Sequence, residues 1–133
     1  MGLAWLFLSF QGRVNREVWW LVIAGTACLD RALYYMTGSA GLSSYLVFGL
    51  VVAALQIAPT VKRLHDVGRS GWWFFPYFVL PGILYAVAFS SENNILFILS
   101  TFAGLMLLLW AVFELGFVKG PERDNRYGPD PLR

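Results

Sequence analysis

The chain alternates long apolar runs with short polar stretches. Four runs stand out, at about residues 18–36, 42–61, 72–89 and 95–118. Each is close to the about 20 residues that an α-helix needs to cross a bilayer, so the pattern predicts four transmembrane helices. Residues 1–10 are apolar and rich in Trp and Phe but too short to span, and they are predicted to lie in the interface or to pack on the bundle. They have no basic n-region and no small-x-small cleavage pattern, so they are not read as a cleaved signal. Residues 1–17 thus form an interfacial N-terminal segment and 119–133 a polar tail, and nothing between them resembles a linker or a repeat. The whole chain is read as one membrane domain.

The polar residues at the ends of the runs carry stop and start signals. Asn15 is placed to cap the first helix, with Glu17 favourable in its first turn. Trp19 and Trp20 open that run as an aromatic belt, and Tyr34 and Tyr35 close it. Gly38-Ser39-Ala40-Gly41 reads as a turn. Gly68 is a helix stop and Ser70 a new N-cap, while Pro76, Pro81 and Gly82 are expected to kink the third run. If the second helix continues past Val61, Lys62 and Asp66 form an i,i+4 pair, Arg63 and Asp66 an i,i+3 pair, and His65 shares a face with Arg69.

Composition decides between a membrane and a soluble core. Hydrophobic residues make up 58% of the 133 residues and charged ones 14%; soluble domains carry about a quarter charged, so too few are present to cover a water-facing surface. The charge is also sorted. In a four-run bundle Arg13, Arg16, Lys62, Arg63, Arg69, Lys119, Arg123, Arg126 and Arg133 fall at one end and only Arg31 at the other. A soluble core gives no reason for that sorting. The positive-inside rule does, and it puts the N-terminus, the central loop and the tail in the cytoplasm. The fold class is therefore an all-α, polytopic membrane helix bundle of about four transmembrane helices.

The net charge of +2 does not imply nucleic acid, and the lone Cys28 offers neither a disulfide framework nor a Cys metal site. Three polar segments converge on the basic end: 10–20, the central loop, and 119–131. Phe10, Gly12, Arg13, Arg16 and the Trp19–Trp20 pair form the first. Arg63-Leu64-His65-Asp66 with Arg69-Ser70-Gly71-Trp72-Trp73 forms the second, and Lys119-Gly120 with residues 125–131 the third. This triple pattern resembles the YhaH-like family of small bacterial inner-membrane proteins of unknown function. The resemblance implies the bacterial inner (cytoplasmic) membrane and this topology, and it brings no established activity.

The candidate site is the basic end itself. Arg13, Arg16, Lys62, Arg63 and Arg69 could hold the phosphate oxygens of an anionic headgroup, or a partner, with Asp66 fixing an arginine and His65 beside it. His65 has no Ser or Cys nucleophile placed with it by any motif, and a metal site needs three or four ligands that the sequence does not gather. No catalytic residue, metal or cofactor is therefore assigned. Asp30, Arg31, Gln56 and Glu114 are the polar residues inside the runs. Asp30 and Arg31 are expected near the far interface, partly neutralising each other, and Glu114 is expected to pair with Arg13, Arg16 or Arg63. In the tail, Asn125, Tyr127, Gly128 and Pro129 combine turn chemistry with a packed ring.

These features favour a non-enzymatic accessory or scaffold component that docks a partner membrane protein, or a second copy of itself, and binds membrane lipids at its basic face. A small oligomeric transporter or channel is the alternative, with Glu114, Gln56 and Asp30 along its path. A membrane enzyme acting on a phosphorylated lipid ranks third, with His65 and Asp66 as its only candidates.

Overall fold

A computed structural model of the chain describes residues 2–37 and 42–131. The Gly38–Gly41 turn expected from the sequence, the end of the tail and Arg133 lie outside the described residues. The described residues form five α-helices in order: α1 (Leu3–Leu8), α2 (Arg16–Thr37), α3 (Leu42–Asp66), α4 (Leu80–Ser90) and α5 (Asn94–Gly116). A 3-10 turn at Gly71–Trp73 and a π turn at Phe75–Val79 lead into α4.

Local chemistry accounts for the helix ends. Asn15 caps α2, its Oδ1 accepting the Val18 N–H at 2.9 Å and its carbonyl the Trp19 N–H at 3.1 Å. Asn93 caps α5 in the same way, accepting from Ile95 and Leu96. α3 runs on past Val61 to Asp66 and stops in a Schellman turn. Gly68, at φ +82°, donates to the His65 carbonyl at 3.1 Å, and Arg69 donates to that of Leu64 at 2.8 Å. Ser70 corrects the expectation of a side-chain cap: its hydroxyl caps nothing, and its carbonyl accepts the Trp73 N–H at 3.1 Å.

The expected kink of the third run takes the form of a widened helix. Pro76 and Pro81 each lack an N–H, and between them the ladder slips by one residue, so that Leu80 donates to the carbonyl of Phe75. Pro59 inside α3 is tolerated without ending that helix.

Among the described residues, three stretches are long and apolar enough to cross a membrane: Val47–Asp66, Gly71–Ser90 and Asn94–Gly116. α2 has the length, about 33 Å for 22 residues, but carries Arg16, Glu17, Asp30 and Arg31. α2 packs along α3, where Gln56 donates to the Thr26 hydroxyl at 2.8 Å and Trp19 Nε1 to that of Thr60 at 3.2 Å. α2 also meets the end of α5: the Trp20 indole donates to the Gly116 carbonyl at 3.1 Å, and a Cβ on Gly116 would lie 2.5 Å from the Trp20 ring.

The packed core sits at the basic end, around Val14, Trp19, Leu64, Tyr77, Ala111 and Leu115. Away from it, Ile95, Ile98, Leu99 and Phe102 of α5 are exposed, as side chains that face lipid would be. Short α1 lies against α3 and leaves Leu3 and Leu8 exposed, so it both packs on the bundle and presents an apolar side.

Candidate functional site

The basic residues of the central motif do not form an open patch. Asp66, the last residue of α3, is 3% exposed and lies between two buried guanidinium groups. Arg13 donates to its Oδ1 through Nε (3.1 Å) and Nη2 (2.9 Å), and Arg63 donates to its Oδ2 through Nη1. The other donors of Arg13 reach tail carbonyls: Arg123 at 2.7 Å, Pro121 at 2.9 Å and, more weakly, Gly128 at 3.5 Å. Arg63 donates to the Leu115 carbonyl at 2.7 Å and to that of Val118. One carboxylate and five carbonyls thus surround two cations.

That saturation is what makes the burial tolerable. Desolvating an ion costs several kcal/mol, and only good geometry with further hydrogen bonds offsets it. The Leu115 carbonyl, in the last turn of α5, also carries the negative end of that helix's dipole. Lys62 uses the same device at the end of α1, donating to the carbonyls of Trp5 and, at 3.0 Å, Leu6, with its ammonium 3.7 Å from the Trp5 ring centre.

The tail is fastened to the same place. Asn125 Nδ2 donates to the His65 carbonyl at 2.9 Å, its Oδ1 accepts the Tyr127 N–H at 2.9 Å, and its backbone exchanges two 3.1 Å bonds with Gly128. The Tyr127 ring stacks on His65, 3.9 Å between centres and 4° from parallel. On the imidazole edge, Nδ1 is 3.3 Å from the Gly12 carbonyl and donates to it when it carries the proton. Gly120 presses on Asp66 so closely that a Cβ there would sit 2.7 Å from the carboxylate carbon. The N-terminal segment, the end of α3 and the tail are therefore one locked unit.

A second polar cluster forms where α5 faces the start of the third apolar stretch. Glu114 accepts from Arg69 Nε at 2.8 Å, from the Tyr77 hydroxyl, and from Trp110 Nε1 at 3.0 Å. The Arg69 guanidinium lies 4.3 Å from the centre of the Trp73 ring, and its bond to Glu114 raises its already high pKa, so it stays charged.

Several expected pairings are corrected here. Lys62 does not pair with Asp66 although α3 extends far enough, because the α1 carbonyls take its ammonium. His65 and Arg69 do not share a face, because the Gly68 turn sends Arg69 towards Glu114 and leaves His65 against Gly12 and Tyr127. Glu114 pairs with Arg69 rather than with Arg13, Arg16 or Arg63. Arg13, Lys62 and Arg63 direct their donors to groups of the chain itself and not to an open anion site. The Arg63–Asp66 pair forms as expected, and Asp30 and Arg31 pair at 2.7 Å.

Arg16 is the exposed member of the expected set, with one long bond of 3.4 Å to the Phe117 carbonyl. It lines a notch of about 160 Å³ beside the lock, where Lys119 faces it together with Glu17, Glu122 and Asp130. Among the described residues no group of three or more His, Cys, Asp or Glu side chains could hold a metal ion. The groups that sequence reasoning missed are the carbonyl acceptors of 115–128 and the Trp5 ring. Carbonyls leave no mark in a sequence; Gly120, a residue without a side chain next to a cationic motif, is the one signal of so close an approach.

Comparison with known proteins places this geometry. The chain is 31% identical over 129 residues to the Uncharacterized protein YiiR of Escherichia coli (strain K12), covering 95% of this chain and 87% of that one. It is 26% identical over 133 residues to the Inner membrane protein YhaH of the same organism (94% and 88%), and 27% identical over 128 residues to the Inner membrane protein YhaI (94% and 87%). No solved structure matches the chain. With its three apolar stretches of spanning length, the chain is a multi-pass protein of the inner membrane. The profile of one family covers residues 7–129, which include the lock, the Glu114 cluster and most of the tail, and the chain belongs to that family, described as Protein of unknown function (DUF805).

Proposed function

We propose that this protein is a non-enzymatic scaffold of the inner membrane, with four spans and both termini in the cytoplasm. It docks a partner membrane protein through its exposed apolar helix faces and meets anionic headgroups at its basic face. The observation that carries this reading is the Arg13–Asp66–Arg63 lock. Arg13 and Asp66 touch, so both belong to one side of the membrane. α3 crosses between them, and the chain returns to the same side only if α2 crosses as well, its Asp30–Arg31 pair lying near the far interface. The stretches Gly71–Ser90 and Asn94–Gly116 then bring the tail back to Arg13.

The lock also supports a platform in preference to a catalyst, since His65 and Asp66 are both engaged in holding the chain together. Headgroup contact falls to the exposed cations Arg16, Lys119, Arg123 and Arg126 and to part-exposed Arg69.

The test is native mass spectrometry of the protein extracted from its own membrane in a mild detergent. A stoichiometric second membrane protein is the expected result. A homo-oligomer without any partner would replace this reading with a small transporter or channel. The four-span arrangement is checked in a Cys28→Ser background by Ser91→Cys, which should react with an impermeant thiol reagent from outside the cytoplasm. Protection of that cysteine would remove the topology.

A further inference from the structure

Arg69 is held differently from the arginines of the lock. One of its five N–H groups, on Nε, is fixed to Glu114, and its two amino groups have no acceptor among the described residues. The side chain is 37% exposed, yet its direction is set by the Glu114 carboxylate and by the face of Trp73. Both oxygens of Glu114 are already engaged, Oε1 by Arg69 and Oε2 by Tyr77 and Trp110, so the carboxylate serves to orient the guanidinium. The result is a part-exposed, planar pair of donors with no acceptor among the described residues, which is the group that grips two oxygens of one phosphate.

The surroundings say which phosphate. Arg69 stands just ahead of the apolar stretch Gly71–Ser90, and beside it Trp72 is 86% exposed. On α5, Met106, Trp110 and Phe113 are exposed and lie on one stripe with Glu114, by their i, i+3, i+4 spacing. That stripe leads from the ion pair down an apolar helix. We propose that Arg69 binds the phosphodiester of a glycerophospholipid in the leaflet at the basic end, with the acyl chains laid along Met106, Trp110 and Phe113. Arg69 and Glu114 cancel in net charge, so the site recognises the phosphate group and not the net charge of the headgroup. A zwitterionic ethanolamine lipid is held as well as an anionic glycerol lipid. This inference rests on the membrane placement above and is independent of any partner protein.

The experiment titrates the delipidated, full-length protein in detergent with phosphatidylethanolamine, or separately with phosphatidylglycerol, and counts bound lipid by native mass spectrometry. Wild type should retain one molecule of either lipid with similar affinity. Arg69→Gln should weaken both by about tenfold, the scale of a charge-assisted hydrogen bond. Arg69→Lys, which keeps the charge but loses the planar pair, should fall between, and it carries the test should Arg69→Gln fail to fold. Unchanged ethanolamine-lipid retention in Arg69→Lys and in folded Arg69→Gln would overturn the proposal. So would a wild type that retains the glycerol lipid alone, since that marks diffuse charge attraction, or displacement of lipid by millimolar inorganic phosphate, since that marks a site for free anions. The Ser91→Cys labelling separates these failures from a failure of the membrane placement.

Discussion

The two ends of the bundle use the same pair of residue types to different effect. At the basic end Arg13 meets Asp66 at 2.9 Å with side-chain exposures of 1% and 4%; at the other end Arg31 meets Asp30 at 2.7 Å with exposures of 58% and 23%. The shorter contact should cost less to break. An exposed pair gains about 0–1 kcal/mol because water and salt screen it, whereas a buried group that loses its partner costs several. Separation therefore says little about what an ion pair contributes; burial and the number of further bonds on each partner say most of it. The basic end is built on this difference, since the buried Asp66 carboxylate is the hub through which three distant segments are joined.

The largest effect should come from removing that hub. Asp66→Asn keeps the shape but leaves Arg13 and Arg63 buried without their counter-charge, and it turns an amide N–H₂ towards a guanidinium that also only donates. Breaking a buried pair costs about 3–5 kcal/mol, so the variant should lose most of its stability to reversible unfolding in detergent. Its tail should become accessible to protease as well. A loss below about 1 kcal/mol would mean that the carbonyls alone hold the two arginines, and the lock would not depend on its carboxylate.

A smaller effect is expected from crowding the hub without changing its charge. In Gly120→Ala the new methyl group would lie 2.7 Å from the Asp66 carboxylate carbon, and that carboxylate cannot swing aside while two arginines hold it. Overpacking of this kind costs about 1–3 kcal/mol, and the tail must lift to relieve it. The same unfolding assay should place Gly120→Ala between wild type and Asp66→Asn. Wild-type stability would show that the tail shifts freely and is not clamped.

The order of these effects follows how much of each region can be read from the sequence. The apolar runs, the Asn15 cap and the Gly68 stop are local signals, and each leaves its mark in neighbouring residues; the helices appear where the pattern puts them. α3 runs to Asp66 rather than to about Val61 because its last turn is held by tertiary bonds, which hydropathy does not weigh. Which residues gather at the basic end is also legible, because a membrane sorts charge by side. What they do there is not. A run of arginines and lysines reads as an open basic patch, yet Arg13, Lys62 and Arg63 turn inward onto backbone carbonyls of the tail and of helix ends, which look alike in every sequence. Arg69 and Glu114 are 45 residues apart and fit no motif spacing, so only the folded chain pairs them.

The smallest effect is expected at the far end, and there the comparison can be made sharpest. Asp30→Asn removes the charge that faces Arg31, but Arg31 is more than half exposed and its guanidinium also lies 5.4 Å from the centre of the Tyr34 ring. Losing an exposed pair of this kind should change stability by less than about 0.5 kcal/mol, and the change should shrink further as salt is raised. A cost near that of Asp66→Asn would contradict this, because water would then have to be absent from the pair. Lipid or another subunit would then exclude it, and the two are separated by whether lipid is kept while subunits are removed. A large Asp30→Asn effect in protein from native membranes that vanishes in the isolated, lipid-loaded monomer would therefore put the docked partner at the far end of α2, and a small effect in both would leave that end without one.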